Sequence, residues 1–212
     1  MPGMRRRRRK PPAAYHHGDL RHALLVEAAR TIREDGVDAV TLRAVGARLG
    51  VSRTALYRHF ADKSALLAAV AREGFQTFRR ELQEAWDQAG GRREGFDAMG
   101  RAYQRFAVAN PAHYRVMFGR FKDFSERDVA LEDDATAAFD VLVNALVALQ
   151  RDGLVRPQDP RALAQFIWAT VHGVAMLSID GQLGPNPSPS ADALSRFALD
   201  RLPAAIGLIP NP

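Results

Sequence analysis

Apolar residues recur every three or four positions along most of the chain, which is the period of an α-helix with one buried face. From Leu20 they fall at Leu24, Leu25, Ala28 and Ile32, with Asp19 placed to cap the start and Gly36 to stop the end. A second short helix is expected from Thr41, a good N-cap, with Leu42, Val45 and Leu49 on one side and Gly50 ending it. A third runs from Ser52 to about Phe60. Asp62 caps a fourth, which carries Leu66, Val70, Phe78, Leu82 and Trp86 before "AGGRREG" breaks the pattern. Further helices are expected over 94–109, 111–119, 127–152, 160–181 and 191–206, and "GPNPSPS" between the last two reads as a loop. No stretch alternates with the period of a strand, and no internal repeat is visible. The expected fold class is all-α: a small three-helix head joined by a long fourth helix to a larger bundle.

Charge changes this picture at one end. Residues 1–60 hold 13 Lys or Arg against 5 Asp or Glu, while the remainder of the 212 residues holds 17 against 19. A basic head on a near-neutral body points to a polyanion partner at the head. The run "RRRRRK" repels itself and "PP" blocks a helix, so residues 1–17 read as a disordered basic arm, able to lie along DNA or to serve as a solubilising tail. There are no cysteines, which excludes disulfides, thiolate catalysis and cysteine-based zinc sites and fits a reducing compartment. Apolar runs are broken short of a membrane span, so a cytoplasmic protein with no membrane partner is expected.

The segment "TLRAVGARLGVSRTALYRHF" reads as helix, tight turn, helix over 41–60. Gly50 supplies a left-handed residue for the turn, Val51 can seal it, Ser52 caps the second helix, and Ala44 and Ala55 are small enough for close packing. On a helical wheel Ala55, Leu56 and Phe60 share one face, and Arg53, Thr54, Tyr57 and Arg58 share the other. A short helix with two guanidinium groups, a phenol and a hydroxyl facing outward suits a major groove. Thr41, at a helix start, can hold a phosphate.

The longer stretch "TLRAVGARLGVSRTALYRHFADKSALLAAV" resembles the DNA-binding head of the TetR family of bacterial transcriptional regulators, from about Asp19 to Val70. The resemblance implies a DNA-binding domain over 18–78 and a ligand-binding and dimerisation domain over 79–210. It implies that Thr41 and Lys63 contact phosphate, with Arg43 a lesser phosphate candidate and Ser52 the cap of the recognition helix. Arg53 and Thr54 match positions that meet base edges, and Tyr57 and His59 match positions that touch the backbone. "FIWATVHGVAML" further resembles the Trp-x-x-x-His-Gly helix of one C-terminal class of that family.

The second bundle is rich in aromatic and methionine side chains, which suit either a filled core or a cavity for a small hydrophobic or aromatic ligand. The candidate lining residues are Tyr103, Phe106, Met117, Phe139, Trp168, His172 and Met176. His172 is placed either to hydrogen-bond a ligand or to be satisfied within the core. The helix around Trp168, Gly173 and Leu177 is apolar on most sides and is expected to meet a second copy, with Leu194 and Phe197 of the last helix completing the dimer interface. "YHHGDLR" brings two histidines near a carboxylate, but without a third ligand nearby it reads as a helix start, not a metal site. No nucleophile elbow, phosphate loop, paired carboxylates or metal triad is present, so neither an enzyme nor a cofactor is expected. The reading is a dimeric repressor released from a palindromic operator by a small apolar ligand; the alternative is a dimeric DNA-binding protein without a ligand response.

Overall fold

The computed structural model describes residues 17–119, 128–183 and 191–209. Residues 1–16 of the basic arm and the "GPNPSPS" loop lie outside them, while residue 17, read as the end of the arm, opens the first helix. Among the described residues the chain is all-α: α1 (His17–Asp35), a 3-10 turn (Val37–Ala39), α2 (Leu42–Leu49), α3 (Arg53–Tyr57), α4 (Lys63–Gln88), α5 (Arg92–Ala109), α6 (Pro111–Phe118), α7 (Val129–Arg151), α8 (Pro160–Ile179) and α9 (Ala191–Ala205). The first three helices form the head. The 26-residue α4 then runs from the head into the larger bundle, packing on α1 and on α5, α6 and α7.

In the head the periodic apolar residues close a single core. Leu24, Ile32, Val40, Val45, Leu56, Phe60, Leu66 and Val70 are all buried together. The expected caps at three helices hold: Thr41 Oγ1 accepts from the Ala44 N–H at 3.0 Å, Ser52 Oγ from Ala55 at 3.3 Å and Asp62 Oδ1 from Ala65 at 2.8 Å. Each satisfies a donor that the first turn of a helix leaves without a partner. Two boundaries differ from the sequence reading. The first helix begins at His17, so Asp19 lies inside it and not ahead of it. The third stops at Tyr57, because the N–H groups of His59 and Phe60 both donate to Leu56 O and tighten the chain out of the helix.

An ion-pair network, which the apolar period does not disclose, ties α2 to α1. Glu27, 7% exposed on α1, accepts from Arg30 at 2.8 Å and from Arg48 at 3.5 Å. Arg48 also donates to Thr31 Oγ1 at 3.1 Å, Glu34 at 3.3 Å and Asp35 at 2.7 Å. Truncation at Arg48 removes the cation that several acceptors share, although Arg30 still serves Glu27. Arg48→Ala is expected to lower unfolding stability by about 1–2 kcal/mol, measured as a shift of the urea midpoint at unchanged slope.

The larger bundle is built around α5 and α8. The α5 helix packs on α4, α7, α8 and α9, and α8 packs on α5, α7 and α9. Asp159 caps α8 with its carboxylate on the Arg161 N–H at 2.9 Å, and Pro160 supplies the first turn. The apolar run here is longer than the sequence reading held: α8 is long and apolar enough to cross a membrane by length and composition. The neighbouring helices bury 28% of that stretch. Buried Gln104 of α5 donates to the carbonyl of Val171 at 2.9 Å, fixing the two helices in register.

Candidate DNA interface and ligand cavity

The outward side of the head is assembled by the turn between α2 and α3. Gly50 takes φ 67° and ψ 25°, and the Val51 N–H donates back to Gly46 O at 3.0 Å, which turns the chain sharply enough to lay α3 across α2. The close approach falls at Gly46, where a Cβ would run into the Leu56 side chain. Sequence reasoning assigned that role to Ala44 and Ala55. The missed signal was a glycine inside a helix with no turn to explain it.

This packing leaves Thr41, Arg43, Ser52, Arg53, Thr54 and Tyr57 exposed, with His59 and Lys63 half-buried. Tyr57 is 49% exposed, a large aromatic with no core role. The Arg53 guanidinium lies over its ring at 5.4 Å, a cation–π contact that holds the long side chain in one place on α3. The Thr41 and Ser52 oxygens accept from backbone N–H groups, so each hydroxyl proton is left able to donate to a phosphate. Lys63 Nζ sits at the first turn of α4 and reaches Asp38 O at 3.4 Å, a long bond that a phosphate can outcompete.

The larger bundle contains a cavity of about 620 Å³, the size of a drug-like ligand site. Phe75, Phe78 and Leu82 of α4 form one wall, Phe96, Met99 and Tyr103 of α5 another, and Met117, Phe118, Phe139 and Trp168 close it from α6, α7 and α8. Ring contacts fix these walls: Phe78 meets Tyr103 edge-on at 5.0 Å, and Trp168 meets Phe118 at 6.1 Å and Phe139 at 6.2 Å. Charged side chains also border the space. Arg93 pairs with Asp97 at 3.8 Å and Arg161 with Asp140 at 3.1 Å, while burial pushes the Asp97 carboxyl above its ordinary range.

Of the seven residues proposed from sequence for this site, Tyr103, Met117, Phe139 and Trp168 line the cavity. Phe106, His172 and Met176 do not. Phe106 is fully buried and packs behind Phe78 at 4.9 Å. His172 sits behind the wall, where its Nδ1 is 2.7 Å from the Tyr114 hydroxyl, which is itself 2.7 Å from the Tyr103 hydroxyl. Burial lowers the His172 pKa and raises those of both tyrosines, so all three are neutral near pH 7. The α4 contribution was missed because Phe75, Phe78 and Leu82 fit the helical core period as well as a filled core would.

The residues proposed for dimerisation divide. Leu177 and Phe197 lie at the surface, 38% and 57% exposed, with Gly173 and Leu194 half-buried. Trp168 is turned inward against Phe139, Phe118 and His172 and borders the cavity instead.

Residues 96–202 match the model of the tetracyclin repressor-like C-terminal domain, and residues 24–70 match that of the bacterial regulatory proteins of the tetR family. The chain belongs to the TetR family. It is thus a DNA-binding transcriptional regulator of a non-catalytic family, with a helix-turn-helix head and a helical C-terminal domain. A protein of unknown function from Rhodococcus sp. RHA1 has a similar structure, 33% identical with a TM-score of 0.79, covering 92% of this chain and 99% of that one. The HTH-type transcriptional regulator Rv1816 of Mycobacterium tuberculosis is 26% identical over 208 residues, 82% of this chain and 89% of the relative. The structure of a SmeT–triclosan complex is 25% identical with a TM-score of 0.65, covering 91% of this chain and 97% of that one. Among the described residues of this TetR-family chain, no group of three His, Asp or Glu side chains is placed to hold a metal ion.

Proposed function

We propose that the protein is a homodimeric repressor that leaves a palindromic operator when a small apolar ligand enters the cavity. The observation that carries the ligand response is the position of α4. Phe75, Phe78 and Leu82 of this helix wall the cavity, and its first residue is Lys63 in the head. The α6 helix adds a second route, because it supplies Met117 and Phe118 to the cavity and packs on both α1 and α4. At that crossing a Cβ on Gly74 would lie 2.5 Å from Met117 Sδ, so α4 and α6 touch without slack. A ligand that displaces α6 or tilts α4 therefore moves the head. The ligand-bound SmeT relative supports the same reading of the cavity. Residues 18–78 are assigned to DNA and 79–210 to ligand and dimer. The test is operator release: a ligand panel is screened by Trp fluorescence, since Trp168 is on the wall, and hits are assayed for release of DNA. Ligands that bind and leave DNA affinity unchanged would favour the alternative, a regulator whose second bundle only dimerises.

In the head, Arg53 is assigned to a base edge, most simply guanine O6 and N7, and Tyr57 to the backbone. Arg53→Ala is expected to relax base preference at one symmetric position per half-site, at about 1–3 kcal/mol of discrimination. Lys63→Ala is expected to weaken operator and random DNA alike and to lower the salt slope by roughly 1 per site. Selection from randomised DNA checks the first. Unchanged preferences in the Arg53 variant would refute it.

A further inference from the structure

The Tyr103–Tyr114–His172 chain has a direction, and the direction bears on what the cavity accepts. Tyr114 is fully buried, and its hydroxyl lies 2.7 Å from both Tyr103 and His172 Nδ1, while the Tyr103 hydroxyl stands at a longer 3.4 Å from the same nitrogen. With His172 neutral and its proton on Nε2, Nδ1 accepts from Tyr114, and Tyr114 accepts from Tyr103. The Tyr103 oxygen is then left with a free lone pair. With the His172 proton on Nδ1 the chain reverses: His172 donates to Tyr114, Tyr114 donates to Tyr103, and the Tyr103 proton is left without an acceptor inside the chain. Of the two tyrosines only Tyr103 lines the cavity.

The rest of the aromatic end brings no charge. Phe75, Phe78, Phe118 and Trp168 cannot neutralise an ion, and the charges that border the cavity occur in both signs, Arg93, Arg101 and Arg161 with Asp97 and Asp200, with Arg93 and Arg161 already paired. An ion placed against these rings would lose its hydration with nothing from the rings in exchange.

We propose that the ligand is a neutral aromatic molecule carrying one hydroxyl group, its ring against Phe78, Phe118 and Trp168 and its hydroxyl on Tyr103, the cavity end of a reversible hydrogen-bond chain. A hydroxyl suits both directions of the chain, because it donates to the free lone pair in one and accepts the free proton in the other. A ketone suits only the reversed chain, and a hydrocarbon neither. This inference rests on the cavity being a ligand site.

The test uses four probes of one shape on the full-length protein, by titration calorimetry: para-phenylphenol, para-methylbiphenyl, para-acetylbiphenyl and biphenyl para-carboxylate. The phenol is expected to bind about tenfold more tightly than its methyl isostere, the difference one hydrogen bond makes. The ketone should fall between them and the carboxylate last. Tyr103→Phe keeps the ring packed on Phe78 and should erase the preference for the phenol while leaving the methyl probe's affinity unchanged. The wild-type ranking stands as a test without the variant. Equal binding of phenol and methyl probes, a preference that survives Tyr103→Phe, or a carboxylate that binds most tightly would overturn the hydroxyl anchor and leave the cavity reading in place. Binding by none of the four would bring down both.

Discussion

Gly173→Arg is expected to give a folded monomer that holds its operator roughly 10²–10⁴-fold more weakly than the wild type, the factor lost when two linked half-site contacts become independent. Phe166, Ala169, Gly173 and Leu177 are spaced along one stripe of α8, and Phe166 is 50% exposed. Only 28% of the apolar stretch of α8 is buried within the chain. With Phe197 exposed on the neighbouring α9, the surface is an apolar patch of the kind that soluble chains cover with a partner. A Cβ built on Gly173 meets nothing within 4 Å, so an arginine there has room in the single chain. Any loss must therefore arise where a second copy would lie. Sedimentation at micromolar concentration should show the wild type as a dimer and the variant as a monomer, with helical circular dichroism unchanged. A monomeric wild type, or a variant that still dimerises and binds operator at full strength, would remove the α8 interface.

The head was legible in the sequence because its requirements are local. Caps at Thr41, Ser52 and Asp62, a left-handed Gly50 and an apolar period each follow from a few neighbouring residues, and the structure places all of them as expected. The Arg48 network was not legible, because its acceptors on α1 lie 13 to 21 residues away and only the fold brings them together. The cavity was half legible for a related reason. An aromatic at helical spacing is buried whether it meets a neighbour or a space, so Phe106 and Phe78 look alike in sequence, yet Phe78 borders the cavity and Phe106 lies behind it. Trp168 and His172 share a face of α8, but the first borders the cavity while the second completes a buried hydrogen-bond chain with Tyr114. Which of two such residues borders the cavity depends on α6, an element 50 residues upstream in the chain that no local pattern connects to them.

Saturating ligand is expected to weaken operator binding by roughly 5–150-fold, and operator is expected to weaken ligand binding by the same factor. The two recognition helices of a dimer must enter successive major grooves about 34–36 Å apart, so a small change in their separation costs affinity at both half-sites. The lever for that change is α4. Near its head end it packs on α1, near its middle Arg72 and Gln76 hold Asp134 of α7 at 2.8 and 3.0 Å, and from Phe75 onward Phe75, Phe78 and Leu82 face the cavity. The Asp134 contacts give the helix a fixed point against the bundle, and a ligand that fills the space beside Phe78 pushes on one side of it. Displacement at the cavity is then expected to appear at Lys63 and, through α1, at α2 and α3. Equality of the two factors follows from linkage and does not depend on the path. It is measured by titrating one ligand into free protein and into protein saturated with operator, and by titrating operator with and without that ligand. A ligand that binds both forms with equal affinity does not act through this equilibrium, however tightly it fills the cavity.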